Sequence, residues 1–402
     1  MSHLLLARSD DLLALRNAGY HLEIRNGYLL IKDVPHVTSS REVREDGVLL
    51  SKLETEVVEG GERTKKPTDH VAYWTGDHPH KADGEKIRSF ENGSPAQDFG
   101  KGVRADFTFS AKADYRDYGH KMLAYLGWIV GEAQKLRPEV TAQTHPVYAT
   151  DEEDDDVFHY IDTASSRVHV GADNEKLEGQ RVAIIGVGGT GSYVLDFVAK
   201  TRVAEIRIFD GDSFDTHNAF RAPGAWSLSE LQQKKSKAQN FGDIYGKLRR
   251  RGLIVHAEKL TANNLKLLEG ITFAFLCLDN GKSKRAIVNW MLQNRVPFVD
   301  VGLGVVRAPS GLQGIVQTLT STPDKIDHID RYLSFGEDDE PENEYATNIQ
   351  ISELNALNAA FAVIRWKKLV GFYRDAGKEY YSSYQIATGE IAIRERPGED
   401  AA

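Results

Sequence analysis

The sequence predicts an α/β fold, a doubly wound and mainly parallel sheet over residues 161–402, preceded by a smaller α+β domain over residues 1–160. Three observations carry this expectation. Val182-Ala183-Ile184-Ile185 is an unbroken apolar run, as in a strand covered on both faces of a parallel sheet, and it enters the glycine turn Gly186-Val187-Gly188-Gly189-Thr190-Gly191. Beyond that turn, strand and helix patterns alternate like successive βαβ units. Before it, residues 1 to about 110 read as strands and turns with little helix after the first.

At 402 residues the chain is too long for one ordinary core, so two domains are expected. A net charge of −9 argues against nucleic acid as a partner, because phosphate binding needs a basic face. No apolar run approaches the ~20 residues that span a bilayer, and the apolar core of the first ten residues is too short for a secretory signal. A cytoplasmic location without a membrane partner is the expectation. One cysteine, Cys277, excludes a disulfide framework and a multi-cysteine zinc site, so no zinc is expected.

In the first domain, Asp10 to Ala18 reads as a helix capped by Ser9 or Asp10. His21–Ile24 and Tyr28–Ile31 flank Asn26-Gly27, the pair that suits a type I′ hairpin turn. Val71–Trp74 and Phe107–Ser110 read as strands. Gly76-Asp77-His78-Pro79-His80 reads as a solvated turn in preference to a metal or catalytic loop, for want of a third ligand. Tyr118 to Leu136 is helical, with an apolar stripe of Met122, Leu123, Leu126, Ile129, Val130 and Ala133, and it ends before Pro138. The acidic run 151–156 reads as a solvated loop, with the domain boundary just beyond it.

In the second domain, the glycine turn opens a helix from Ser192 to Lys200, and Ala204–Phe209 is a strand ending in Asp210-Gly211-Asp212. Ser227–Leu248 is compatible with helix. Gly252–Ala257, Thr272–Leu278 and Phe298–Val301 read as strands, and Ala262–Leu268 and Ser283–Asn294 as helices. Residues 311–345 look less regular. Ile349 to Phe372 returns to helix, with Leu354, Leu357, Ala360, Phe361, Ile364 and Leu369 expected inward.

Strand, glycine turn, helix, strand and acid in this order form a Rossmann-like nucleotide-binding unit. Gly186, Gly188, Gly189 and Gly191 let the backbone approach a phosphate, the helix N-terminus offers unpaired N–H groups, and an acid after the second strand accepts from a ribose hydroxyl. Three later points add polar and charged residues: Asn218 with Arg221, Lys237, and Asp279 with Asn280 at the end of a buried strand. Loops after strand C-termini converge on one crevice. Arginine, lysine and carboxylate gathered there suit a triphosphate with its Mg2+, the carboxylate (Asp279) binding the hard cation through oxygen. NAD does not need them, which places a dehydrogenase well behind.

These residues also carry a resemblance. From about Arg167 onward, GVGGTG at Gly186–Gly191, Asp210-Gly211-Asp212, Asn218 with Arg221, Lys237-Ala238 and Asp279-Asn280 resemble the ThiF/MoeB and ubiquitin-activating-enzyme superfamily. The resemblance implies a ThiF-type fold and an ATP- and magnesium-dependent adenylyltransferase, commonly a homodimer. In it, Asp210 holds the ribose, Asn218 and Arg221 meet the phosphates, Lys237 stabilises the reacting phosphates and Asp279 positions magnesium. Arg167 stands where relatives often carry an arginine that reaches the other subunit's site, or it is a plain linker arginine. The implied reaction is activation of the C-terminal carboxylate of a ubiquitin-like or sulfur-carrier protein ending in glycine. The alternatives are a small carboxylate or peptide as substrate, and a degenerate binding module of the same fold.

Many relatives next pass the acyl group to a cysteine. Cys277, inside an apolar strand, reads as inert packing, since a reactive thiol needs exposure and a stabilised thiolate. The adenylate then goes directly to an acceptor or a separate conjugating enzyme, or an oxyester forms on Thr347 or Ser352, which equally suit helix capping. The first domain resembles those ahead of ThiF-like modules in bacterial ubiquitin-like conjugation operons. Lacking cysteine, it is expected to recruit a partner or substrate.

Overall fold

The computed structural model describes residues 5–6, 8–58, 61–93, 95–150, 156–167, 171–278, 282–333, 335 and 349–395, without the side chains of residues 166, 167, 171 and 172. The chain divides into two compact units, Met1–Asp154 with Ile161–His169, and Asp155–Tyr160 with Val170–Ala402.

The first unit opens with helix α1 (Asp10–Asn17) and strands β1 (His21–Arg25), β2 (Tyr28–Val37) and β3 (Val43–Lys52). Asn26 and Gly27 both adopt positive φ, 48° and 76°, and Arg25 pairs with Tyr28, which is the type I′ geometry. Two small hairpins follow, β4 (Thr55–Val58) with β5 (Gly61–Thr64), and, after β6 (Val71–Thr75) and β7 (Glu91–Asn92), β8 (Gln97–Gly100) with β9 (Val103–Ala105). With β10 (Phe107–Ser110) the main sheet is antiparallel in the order β1-β2-β3-β6-β10-β7. Helix α2 (Tyr118–Leu136), capped by Asp117 accepting from the His120 N–H, buries Met122, Tyr125, Leu126 and Ile129 in the unit's main core. Leu123, expected in that stripe, is exposed. The Gly76–His80 turn is not solvated at its histidines. His78 and His80 are buried, and His78 meets the rings of Phe107 and Phe109 at 4.8 and 5.9 Å. A short helix α3 (Thr163–Arg167) closes the unit.

The second unit runs α4 (Gly171–Glu178), β11 (Arg181–Ile185), α5 (Gly189–Ala199), β12 (Glu205–Phe209), α6 (Thr216–Ala219), α7 (Leu228–Gln232), α8 (Lys237–Tyr245), β13 (Leu253–His256), β14 (Phe273–Leu276), α9 (Lys282–Gln293), β15 (Phe298–Ala308), β16 (Gly311–Ser321), α10 (Ile329–Tyr332), α11 (Ser352–Leu369), β17 (Tyr381–Gln385) and β18 (Glu390–Arg394). Its sheet order is β13-β12-β11-β14-β15-β16-β17-β18. The first five strands in that order are parallel and the last three antiparallel, a doubly wound sheet with an antiparallel flank. One core cluster joins α5, α8 and α11 to one face of the sheet, and another joins α9 to the opposite face.

Three sequence expectations change. Ser227–Leu248 is two helices, because Ser227/Glu230 and Ser236/Gln239 each form a complete capping box and Lys234 between them takes φ 49°. Ala262–Leu268 shortens to a 3₁₀ turn, Leu265–Leu268. Residues 311–321 are a strand paired along its whole length with β15. Helix α11 also turns in a different phase. It buries Asn355, Asn358, Ala359, Ala362, Val363, Arg365 and Trp366, while Ile364 and Leu369 are exposed. Two of these buried polar side chains bond across the fold: Asn358 donates to the Gly302 carbonyl at 3.0 Å, and Arg365 pairs with Glu379. Among the described residues no helix is long and apolar enough to cross a membrane.

Candidate nucleotide site

The glycine turn is fixed by close backbone approach. Gly186 has φ +86°, and a Cβ there would lie 2.5 Å from the Cys277 carbonyl oxygen. A Cβ on Gly191 would overlap the Gly186 carbonyl itself, and one on Gly189 would overlap the amide of Asn355. Gly188, the N-cap of α5, faces open space and adds no side-chain cap, so the first turn of the helix presents its N–H groups outward.

A cavity of about 690 Å³ opens at this turn. It collects Gly186, Gly188, Gly189, Asp210, Asp212, Asn218, Arg221 and Lys237 along its walls, while Gly191 packs behind the turn. The sheet explains the convergence, since the loops following parallel strands β11, β12, β13 and β14 all open on this edge.

The two acids after β12 differ in work. Asp210 is 9% exposed, and its two oxygens accept from the backbone N–H groups of Val187 and Asp212, each at 2.9 Å. Burial raises its carboxyl above the ordinary range despite the nearby Lys237. Asp212 is more open. Burial alone would raise it, but Lys237 at 3.0 Å and Lys259 at 3.1 Å prevail and hold it below the ordinary range. The Lys237 backbone N–H also donates to the Asp212 carbonyl at 2.8 Å, so the start of α8 is tied to this acid twice. Asn218 is buried and occupied in a capping box, its Oδ1 accepting from the Asp215 N–H at 2.9 Å. Arg221 sends Nη1 to Gln350 Oε1 at 3.3 Å, while its buried Nε has no hydrogen-bond partner among the described residues.

On the other side of the cavity, Lys284 from α9 pairs with Asp300 of β15 at 2.7 Å, both buried. Burial pushes the Asp300 carboxyl up to about 6, outweighing the attraction of Lys284. The Cys277 thiol is desolvated and raised, with Asp300 adding to the effect, so Cys277 borders the cavity as a poor nucleophile. Ser352 does not cap α11. Its Oγ lies 2.6 Å from the Tyr193 hydroxyl, one turn into the partner helix α5.

Three sequence candidates are not brought into this description. Asp279 and Thr347 lie outside the described residues, and Arg167 ends α3 with its side chain outside them. Among the described residues no group of three or more His, Cys, Asp or Glu side chains is disposed to hold a metal. Conversely, Lys259, Lys284, Asp300, Gln350 and Asn355 escaped the sequence reading. Lys259 follows β13 and obeys the same strand-end rule as the others. Gln350, just before α11, and Asn355, within it, reach the site by packing alone and leave no local signal.

The model of the ThiF family matches residues 163–396. The chain belongs to the ThiF family. Residues 10–163 match a domain of unknown function, DUF6791. No curated protein matches the chain. Among solved structures, PaaA is similar at 18% identity and a TM-score of 0.43, covering 56% of this chain and 75% of that one. Escherichia coli MccB with MccA-N7isoASN is similar at 16% identity and a TM-score of 0.46, covering 57% and 67%, and MccB with ATP at 16% and 0.44 with the same coverage.

Proposed function

We propose that this ThiF-family chain uses ATP to adenylate the C-terminal carboxylate of a protein or peptide, a ubiquitin-like protein ending in glycine being the favoured substrate. The observation that carries the reading is a single cavity uniting the glycine turn and an open helix N-terminus with Arg221 and Lys237. In the reaction a carboxylate oxygen attacks the α-phosphorus, the bond to the β-phosphate oxygen breaks, and pyrophosphate leaves with the electron pair. The carboxylate reacts ionised, so no side-chain base is required. The chain's work is to orient and to neutralise charge. The glycine turn and the N–H groups of α5 receive phosphate oxygens, and Arg221 and Lys237 offset the charge gathering on the leaving group. Asp210 is the proposed ribose acceptor, since each of its two oxygens keeps a lone pair beyond the one backbone N–H it accepts. Asp279, two residues beyond the cavity-lining Cys277, is the proposed Mg2+ ligand. Magnesium held there would supply positive charge to offset the negative charge of the phosphates.

A desolvated Cys277 supports direct transfer of the adenylate to an acceptor or a conjugating enzyme. Thr347 remains the proposed position for an oxyester, Ser352 being engaged with Tyr193. The first domain is proposed to recruit the partner or substrate, and a cytoplasmic homodimer, with Arg167 reaching the second site, completes the proposal. ATP–pyrophosphate exchange dependent on a candidate carboxylate protein tests the reading, with Asp279→Ala expected to abolish exchange in a folded chain. Full exchange in that variant overturns the magnesium assignment.

A further inference from the structure

Arg221 is the cation of this cavity that has no carboxylate partner among the described residues, whereas Lys237 and Lys259 are both matched by Asp212. What holds Arg221 is a neutral amide. Its Nη1 donates to Gln350 Oε1 at 3.3 Å, and its buried Nε has no hydrogen-bond partner there. A neutral acceptor fixes the long side chain without cancelling its charge, leaving the guanidinium free for an anion. A second amide fixes the backbone beneath it. Asn355, 1% exposed, accepts from Thr190 Oγ1 at 3.1 Å, sends Nδ2 towards the Arg221 carbonyl at 3.5 Å, and lies against Gly189 so closely that a Cβ there would overlap it. One turn along the same seam, Ser352 meets Tyr193. The join between α11 and α5 is therefore polar where it reaches the glycine turn, and both amides converge on Arg221.

We infer that Gln350 and Asn355 are positioning residues of the nucleotide site: Asn355 sets the Arg221 backbone against the glycine turn, and Gln350 aims the Arg221 guanidinium at the phosphate chain of a nucleoside triphosphate. The inference deepens the proposed function and rests on its nucleotide reading. In this role Gln350 acts through Arg221, to which its Oε1 is bonded.

Two probes separate this role from a structural one. ATP carries the phosphates that Arg221 addresses, and adenosine does not. Dissociation constants for both are measured by titration calorimetry on the full chain, in the wild type, Gln350→Ala, Arg221→Met and the double variant, with thermal unfolding as a control. Hydrogen bonds to charged groups set the scale, and Gln350→Ala is expected to weaken ATP about tenfold and leave adenosine within about twofold. In the Arg221→Met background, Gln350→Ala is expected to change ATP binding no further. Equal losses for ATP and adenosine, or the same loss in both backgrounds, would overturn the inference. Gln350→Glu keeps the reach to Arg221 but cancels its charge, and is expected to weaken ATP at least as much as the alanine variant; unchanged ATP binding there contradicts the account. A wild-type chain that binds no ATP overturns the nucleotide reading together with this inference. Binding without pyrophosphate exchange overturns the adenylation reading alone, and the four-variant comparison still decides the role of Gln350.

Discussion

Replacing Lys284 by methionine exposes what the wall of the cavity costs. Lys284 and Asp300 sit 2.7 Å apart with side chains 5% and 10% exposed, so neither charge has water to fall back on. Asp300 is already displaced from its ordinary 3.8 to about 6 with the lysine present. A carboxyl raised in the folded state binds more protons there than in the unfolded chain, so stability is highest below pH 4 for this group and declines as pH rises to about 6. At about 1.4 kcal/mol per pH unit, that decline amounts to about 3 kcal/mol. Lys284→Met removes the counter-charge, so the folded carboxyl rises further and the decline continues above pH 6. Removing one member of a buried pair costs about 3–5 kcal/mol when the other remains charged. The variant is therefore expected to lose little stability at pH 5 and several kcal/mol at pH 8, whereas Lys284→Met with Asp300→Leu should return to within about 1 kcal/mol of the wild type at both. Urea unfolding at the two pH values measures this. A loss of the same size at pH 5 and pH 8, or a double variant worse than the single one, would refute the assignment of the cost to an uncompensated carboxylate.

Other outcomes follow from the same geometry. Gly191→Ala forces a methyl into the Gly186 carbonyl and to 3.0 Å from the Cys277 Cβ; a net loss of about 1–2 kcal/mol is expected in thermal unfolding, overpacking outweighing a helix gain of about 1 kcal/mol. Asp210→Asn, which leaves one of two backbone N–H groups without its acceptor, should cost about 1–3 kcal/mol of stability and weaken nucleotide binding; unchanged unfolding together with unchanged binding contradicts the assignment. Cys277→Ser should retain pyrophosphate exchange, and Cys277 should alkylate much more slowly than a free thiol near pH 8.

The parts of this chain that were legible in its sequence are those whose burial is uniform or whose turn chemistry is local. β11 is apolar at four consecutive positions, and Asn26-Gly27 admits one kind of hairpin. Helix α11 was misphased because its apolar residues do not mark its buried face. Asn355, Asn358 and Arg365 go inside because partners await them on α5, β15 and Glu379, and none of those partners is near in sequence. The hairpin of β15 and β16 was missed because its outer residues are partly exposed and its pattern mixes glycine with apolar residues. In the site, the glycine turn, Arg221 and Lys237 could be placed by the rule that loops after parallel strands converge. That rule names an edge of the sheet, not the bonds made there. It could not tell Asp210, which accepts the Val187 and Asp212 backbone N–H groups, from Asp212, which pairs with Lys237 and Lys259, and it had no access to Gln350 or Lys284.

The central claim is that this cavity forms an acyl adenylate, and isotope exchange of labelled pyrophosphate into ATP tests it most directly. With a carboxylate-bearing ubiquitin-like protein present, exchange is expected in the wild type and is expected to be lost in Lys237→Met at unchanged fold. Chain that binds ATP yet supports no exchange with any carboxylate protein or peptide would contradict it.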